Sequence, residues 1–137
     1  MAFFAFDHVH LRSANPLKTA QWYHRMFGAR ILETPQAGGT NRVDLDFGNL
    51  MVFIQGPLPA GEEAQGLKAP HYGLDHFGVR VENLERAIAE LKSKGAEFVS
   101  ELRTLPNGVK ISFVRGPEDV RIEVLERPWG ASAFLPS

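Results

Sequence analysis

Several short stretches of the chain alternate between apolar and polar residues, which is the period-two pattern of a strand with one buried face. The clearest is residues 42–47, where Val43, Leu45 and Phe47 alternate with charged side chains. The same pattern and the flanking turn residues predict further strands at residues 5–12, 29–34, 50–55, 74–81, 96–103, 109–114 and 120–126. In the first of these, three polar side chains, His8, His10 and Arg12, share one face.

Two other stretches have apolar residues at helical spacing. The first helix is predicted to begin after Asn15, with Pro16 in its first turn, and to end at Gly28; the second is predicted to begin after Asn83 and to end at Gly95. The residues predicted to face the core are Leu17, Ala20, Tyr23 and Phe27 in the first helix and Leu84, Ala87, Ile88 and Leu91 in the second.

The order of strand, helix and three strands occurs twice. The repeat also has a chemical signature, because Asp7-His8 recurs as Asp75-His76 at a spacing of 68 residues. We therefore predict an α+β fold of two tandem βαβββ modules, in a single domain covering residues 1–137. Module one covers about residues 4–56, a Pro- and Gly-rich linker residues 57–73, module two about residues 74–127, and a C-terminal tail residues 128–137.

The composition of the chain limits the partners and metal ligands that it can have. Hydrophobic residues make up 44% and charged residues 23% of the chain, with 15 basic and 16 acidic side chains. This balance gives no basic surface for nucleic acid, which we discount as a partner. The chain has no cysteine, so a metal ion would need His, Asp or Glu ligands. No signal peptide or membrane span is recognisable, and we expect a cytoplasmic protein with no membrane partner.

A tandem βαβββ unit that opens on Asp-His and ends on Ile122-Glu123-Val124-Leu125-Glu126 resembles the vicinal oxygen chelate superfamily. That superfamily includes glyoxalase I, methylmalonyl-CoA epimerase, extradiol dioxygenases, fosfomycin-resistance enzymes and bleomycin-resistance proteins. The resemblance covers about residues 5–127. It implies that the modules form a cupped, half-open mixed β-barrel and that the protein is a homodimer.

The resemblance also implies a metal site. His8 and His76 match the ligands that family members place on the first strand of each module, and Glu123 matches the last-strand carboxylate of module two. For the fourth ligand, alignment of residues 51–57 with 122–128 places Val52 opposite Glu123, and valine cannot bind a metal. A slipped pairing would make Gln55 that ligand instead. Two histidines and one carboxylate with open positions favour Fe(II), although Mn, Ni or Zn would also suit.

Further polar residues on these strands are candidates for binding or catalysis. His10 is either an additional metal ligand, a general acid–base or a hydrogen-bonded cavity residue. Arg12, Arg80 and Arg121 either anchor an anionic small-molecule substrate or point into solvent.

The resemblance thus implies a metal-dependent enzyme that chelates vicinal oxygens of a small substrate, and a dioxygenase is favoured by the three-ligand set. Against a dioxygenase, Phe113 stands where extradiol enzymes have an acid–base tyrosine, and many of those enzymes have four modules. A glyoxalase-like lyase or isomerase is the first alternative. A metal-free small-molecule-binding protein, similar to bleomycin-resistance proteins, is the second.

Overall fold

The computed structural model describes residues 4–35, 41–61 and 70–128. It divides into two compact units, residues 1–65 (unit 1) and 66–137 (unit 2). Each unit has one α-helix and one mixed sheet, which confirms the predicted α+β class and the repeated order of elements. Residues 62–69 of the predicted linker and nearly all of the predicted C-terminal tail lie outside the described residues.

Unit 1 consists of β1 (His8–Arg12), α1 (Pro16–Phe27), β2 (Arg30–Pro35), β3 (Asn41–Asp46) and β4 (Met51–Gln55). Its sheet has the order β1-β4-β3-β2. The first strand pairs with the last in parallel, and the other neighbours are antiparallel. The strand that carries His8 and His10 therefore lies beside β4.

Unit 2 consists of β5 (Phe77–Arg80), α2 (Leu84–Ser93), β6 (Glu97–Phe98), β7 (Arg103–Thr104), β8 (Lys110–Arg115) and β9 (Arg121–Glu126). A 3-10 turn at Pro117–Asp119 connects the last two strands. The sheet order is β5-β9-β8-β6, and β7 also pairs with β8. As in unit 1, the first and last strands are parallel neighbours.

Both helices begin with an asparagine cap at equivalent positions of the repeat. The side-chain oxygen of Asn15 accepts from the amide of Lys18 at 3.1 Å, and that of Asn83 from the amide of Arg86 at 3.0 Å. Each cap satisfies a backbone donor that has no partner within its helix. The predicted start of both helices is thus confirmed.

The core of unit 1 lies between α1 and strands β2, β3 and β4. Ala20 and Tyr23 are fully buried, and burial raises the pKa of the Tyr23 hydroxyl far above its ordinary value. The prediction that Leu17 faces the core is wrong, because its side chain is 44% exposed. The buried stripe continues instead to Met26, and Leu17 lies beside it in the first turn of the helix.

The core of unit 2 forms between α2 and its sheet. Leu84 and Leu91 are buried, as predicted, while Ala87 and Ile88 are half-buried. The apolar sheet residues that are fully buried on this side are Val114, Ile122 and Val124. Burial alternates along β4, and along β9 from Arg121 to Val124, as expected where adjacent side chains lie on opposite faces of a sheet. Leu125 is also buried, in a second cluster of unit 2.

The predicted strand at residues 96–103 is interrupted and forms two short strands, β6 and β7. Ser100 explains the interruption. Its hydroxyl accepts from the amide of Phe113 at 3.0 Å, and its carbonyl accepts from the hydroxyl of Ser112 at 2.9 Å. A side chain therefore takes over a bond that backbone pairing would otherwise make.

Among the described residues, no helix is both long enough and apolar enough to span a membrane.

Candidate functional site

Both Asp-His dipeptides adopt the same local geometry. Nδ1 of His8 lies 2.6 Å from Oδ2 of Asp7, and Nδ1 of His76 lies 2.7 Å from Oδ2 of Asp75. A carboxylate oxygen accepts, so Nδ1 donates in both pairs and Nε2 is left as the nitrogen available to a ligand. Carboxylates hold metal-binding histidines in this way. The repeated aspartates were visible in the sequence, but their role was not predicted.

His76 and Glu123, two of the three predicted metal ligands, lie together in unit 2. Nε2 of His76 is 2.7 Å from Oε2 of Glu123, and the side chains are 30% and 18% exposed. Glu123 projects from the sheet face opposite α2, because the buried Ile122 and Val124 on either side of it face the helix. Both ring nitrogens of His76 thus face carboxylate oxygens.

The third predicted ligand, His8, lies on β1 of unit 1 and shares its face with His10 and Arg12. All three are exposed, and they alternate with the half-buried Val9 and Leu11 as the sequence predicted. Among the described residues, Nε2 of His8 and both ring nitrogens of His10 make no hydrogen bond. Neither unit by itself brings three His, Asp or Glu side chains of its described residues into a metal-binding arrangement.

The strand register corrects the alignment that placed Val52 opposite Glu123. His10 pairs with Phe53 in unit 1, and its repeat equivalent Gly78 pairs with Glu123 in unit 2. The residue equivalent to Glu123 is therefore Phe53. Val52 is fully buried on the other face of the sheet. The expectation that module one supplies no carboxylate at this place holds, with a different residue occupying it.

Phe53 is the centre of a stack in unit 1. The ring of His8 stacks on it with centroids 4.0 Å apart and planes 23° apart. The guanidinium carbon of Arg42 lies 3.6 Å from the Phe53 centroid. Arg42 in turn donates from Nε and Nη2 to the two carboxylate oxygens of the buried Asp44, at 2.6 and 2.9 Å. In unit 1, His8 thus contacts an aromatic ring where His76 contacts a carboxylate.

The three arginines that are candidates for substrate binding differ in their bonding partners. Nη1 of Arg121 donates to Oδ2 of Asp75 at 2.7 Å, so this guanidinium already has an acidic partner. The hydrogen bond from His76, and then the positive charge of Arg121, hold the pKa of Asp75 below its ordinary value. Arg12 and Arg80 have no hydrogen-bond or ion-pair partner among the described residues. Arg80 is half-buried, pairs with Leu125, and lies on the same face as Glu123.

Phe113 and Gln55 also lie on the faces opposite the helices. Phe113 pairs with Glu123 across β8 and β9, and its ring meets that of His76 edge-on, with centroids 4.9 Å apart. The residue that replaces the expected tyrosine therefore packs against a predicted ligand. Gln55 pairs with Arg12 two residues beyond Phe53. Its role as a fourth ligand stays a prediction.

These donors suit a divalent ion of intermediate hardness. They are imidazole nitrogens with a fixed Nδ1 side and a carboxylate, the combination that binds Fe(II), Mn(II), Ni(II) and Zn(II). Nδ1 of His76 is held by Asp75, and Nε2 is the ring nitrogen that faces Glu123 and at which an ion would bind. In donor type, although not as three ligands within either described unit, these residues fit the ion that the sequence analysis predicts.

The comparisons with known proteins agree with this fold. The family model of the Glyoxalase/Bleomycin resistance protein/Dioxygenase superfamily matches residues 5–124. The chain therefore belongs to this superfamily.

Solved structures of other proteins also have this fold. A glyoxalase family protein from Enterococcus faecalis is 28% identical, with a TM-score of 0.70 over 92% of this chain and 100% of that one. TioX from Micromonospora sp. ML1 is 26% identical, with a TM-score of 0.67 over 90% and 99%. A glyoxylase/bleomycin resistance protein/dioxygenase domain from Frankia sp. EAN1pec shares the fold at 19% identity, with a TM-score of 0.72 over 92% and 99%. A comparison with curated proteins finds no match.

Proposed function

We propose that this protein is a metal-dependent enzyme in which His8, His76 and Glu123 bind one divalent ion that chelates vicinal oxygens of a small substrate. The observation that carries the proposal is the position of His76, whose Nδ1 is held by Asp75 while Nε2 lies 2.7 Å from Glu123. Nδ1 of His8 is held in the same way by Asp7. An ordinary surface histidine does not need carboxylates on both ring nitrogens, whereas a metal ligand is oriented in this way.

When bound, the ion would polarise substrate oxygens as a Lewis acid, and Fe(II) would also offer a position for O₂. The remaining roles belong to the chain itself. Asp7 and Asp75 keep the Nδ1 protons of their histidines in place. His10 projects from the same face as His8 and has no hydrogen-bond partner among the described residues, so a ring nitrogen is available to take up or release a substrate proton.

Two reaction classes follow from different observations. The three-ligand set without a fourth carboxylate favours a dioxygenase, because open positions suit Fe(II) and O₂. Phe113 favours a glyoxalase-like lyase or isomerase, because its ring offers no acid–base group beside His76 and leaves proton transfer to His10. We place the dioxygenase first.

The experiment that tests the proposal measures metal before activity. The protein is purified without chelator, and binding of Fe(II), Mn(II), Ni(II) and Zn(II) is measured anaerobically by calorimetry and elemental analysis. One ion per chain supports an enzyme, and oxygen uptake with catechols against turnover of a glutathione hemithioacetal then separates the two classes. Protein that binds none of these ions would contradict both and support a metal-free binding protein.

Arg80 is the proposed anchor for an anionic group of the substrate, because the residue is half-buried and lies on the face of Glu123. With an anionic substrate, Arg80→Gln is expected to raise KM about 10–100-fold, since a hydrogen bond to a charged group contributes about 1.5–3 kcal/mol. The exposed Arg103 on β7 provides the matched control, Arg103→Gln, which should leave KM unchanged. An equal KM for Arg80→Gln and the wild type would remove Arg80 from the site.

The register also predicts a gain of metal affinity. Phe53→Glu places a carboxylate at the repeat equivalent of Glu123, next to His8. Metal affinity is expected to rise at least about 10-fold over Phe53→Leu, which loses the same stack without adding a ligand, because a carboxylate adds both a donor and a negative charge. Calorimetric titration with Mn(II) measures the difference. Equal affinities in the two variants would show that position 53 does not reach the ion.

A further inference from the structure

Arg121 links Asp75, which accepts a hydrogen bond from His76, to the strand that carries Glu123. It lies on β9 two residues before Glu123, on the same face of the sheet. Its Nη1 donates to Oδ2 of Asp75 at 2.7 Å, and the same oxygen accepts from Nδ1 of His76 at 2.7 Å. A single carboxylate oxygen thus ties the imidazole to an arginine whose own strand presents the second predicted ligand.

Phe113 contacts both sides of this connection. The guanidinium carbon of Arg121 lies 4.6 Å from the centre of the Phe113 ring, and the His76 ring meets the same phenylalanine edge-on at 4.9 Å. A planar guanidinium over an aromatic face is held in orientation as well as in position. The ring therefore restricts Arg121 and His76 together, while the hydrogen bonds to Asp75 fix their spacing.

Unit 1 shows that the fold does not require this arrangement. By the strand register, the equivalent of Arg121 in unit 1 is Met51, which pairs with His8. The side chain of Asp7 is 84% exposed and bonds only His8 among the described residues. Both units form the same sheet order around the first and last strands, although only unit 2 has the arginine. The arrangement is thus specific to the histidine that faces a carboxylate.

We infer that Arg121 is a positioning residue, which acts through Asp75 to hold His76 with Nε2 directed at Glu123. The inference rests on the proposed metal site and assigns Arg121 a role other than substrate anchoring. Neutralising Arg121 should leave Asp75 free to turn away from His76. The ring would then lose its fixed Nδ1 proton and its orientation before any ion binds.

The test uses the full-length chain and Mn(II) as the probe. Arg121→Gln is expected to lower Mn(II) affinity about 10–100-fold, the usual effect of losing a residue that orients a metal ligand. The matched control is Arg115→Gln, because Arg115 pairs with Arg121 across β8 and β9 but is exposed. Among the described residues its side chain forms ion pairs only with Glu97 and Asp119, at 3.4 and 3.7 Å. The control should bind Mn(II) as the wild type does.

A second measurement does not depend on the ion. In the metal-free protein, ¹⁵N-correlated NMR of the histidine rings should show an Nδ1 proton on His76 in the wild type and in Arg115→Gln, and loss of this preference in Arg121→Gln. Asp75→Asn should reproduce the loss, and adding Arg121→Gln to it should change little further, since both residues act on one path. Arg121→Lys keeps the positive charge but loses the planar group that stacks on Phe113. Its Mn(II) affinity should therefore lie between those of Arg121→Gln and the wild type.

The outcomes separate the inference from the proposed function. Wild-type protein that binds no Mn(II) in this titration and no other ion in the metal survey contradicts the metal site itself. Wild-type binding together with equal affinity and an unchanged His76 ring in Arg121→Gln overturns only the positioning role. If Arg121→Gln does not fold, Arg121→Lys and Asp75→Asn decide the question, and wild-type values in both would overturn it.

Discussion

Glu123→Gln is expected to lower divalent metal affinity by at least about 100-fold. The substitution keeps the size and shape of the side chain but removes its negative charge, and Nε2 of His76 would then face a neutral amide. Changes outside the ligand shell already cost about 10–100-fold in affinity, so the loss of a ligand charge should exceed them. His76→Ala should have an effect at least as large, since it removes the group that Glu123 and Asp75 hold between them. Calorimetric titration with Mn(II) measures both variants.

Two other glutamates provide controls for this prediction. Glu101 is exposed, and Glu101→Gln should leave the affinity unchanged. Glu126 lies on the same strand as Glu123 but faces α2, where its Oε1 accepts from the amide of Leu84 at 2.7 Å. Glu126→Gln should therefore lower stability by roughly 1 kcal/mol through a weaker helix cap and leave the metal affinity intact. Wild-type affinity in Glu123→Gln would place the ion elsewhere.

Gly56→Ala is expected to lower the free energy of unfolding by about 3 kcal/mol or more. Gly56 has φ +139°, which side chains of L-residues rarely adopt, and a Cβ atom there would collide with the backbone carbonyl oxygen of Ser13. Ser13 has little room to move. Its amide donates to the carbonyl of Gln55 at 2.9 Å, and its buried hydroxyl lies 2.7 Å from that of Thr19.

Thermal and urea unfolding measure the effect, which corresponds to a fall in Tm of about 10 °C for a domain of this size. Gly28→Ala is the matched control, because Gly28 also has a positive φ, +72°, but nothing lies within 4 Å of its added Cβ. That variant should lose only about 1 kcal/mol, the ordinary cost of a non-glycine residue at a helix end. Equal losses in both variants would show that the contact with Ser13 is not what makes Gly56 necessary.

Local patterns predicted most of the elements of this fold. The asparagine caps and glycine ends located both helices, and alternating residues such as Val43 and Leu45 located the strands, because these signals depend on neighbouring residues alone. Two of these local predictions were wrong. Leu17 satisfies a helical spacing yet lies outside the buried stripe, and Ser100 interrupts a strand by bonding through its side chain.

The candidate site was predicted only in part. The two histidines and Glu123 followed from the repeat and from the superfamily resemblance, and the structure brings His76 and Glu123 into contact. The aspartates that hold the histidines were visible as repeated letters, but a sequence does not show which nitrogen a carboxylate will bind. From the sequence, Arg121 is either a substrate anchor or a residue that points into solvent, and only the fold revealed that it bonds Asp75.

The repeated pattern of residues was sufficient to predict a duplicated α+β unit with an Asp-His dipeptide at the start of each copy. The tertiary structure decided which residue takes the place of Glu123 in the first copy. The sequence alignment placed Val52 there, one position away from Phe53. A shift of one residue moves a side chain to the other face of a sheet. Hydrogen bonding between β1 and β4, which joins residues more than forty positions apart, fixes that register, and Val52 is accordingly buried on the other face of the sheet.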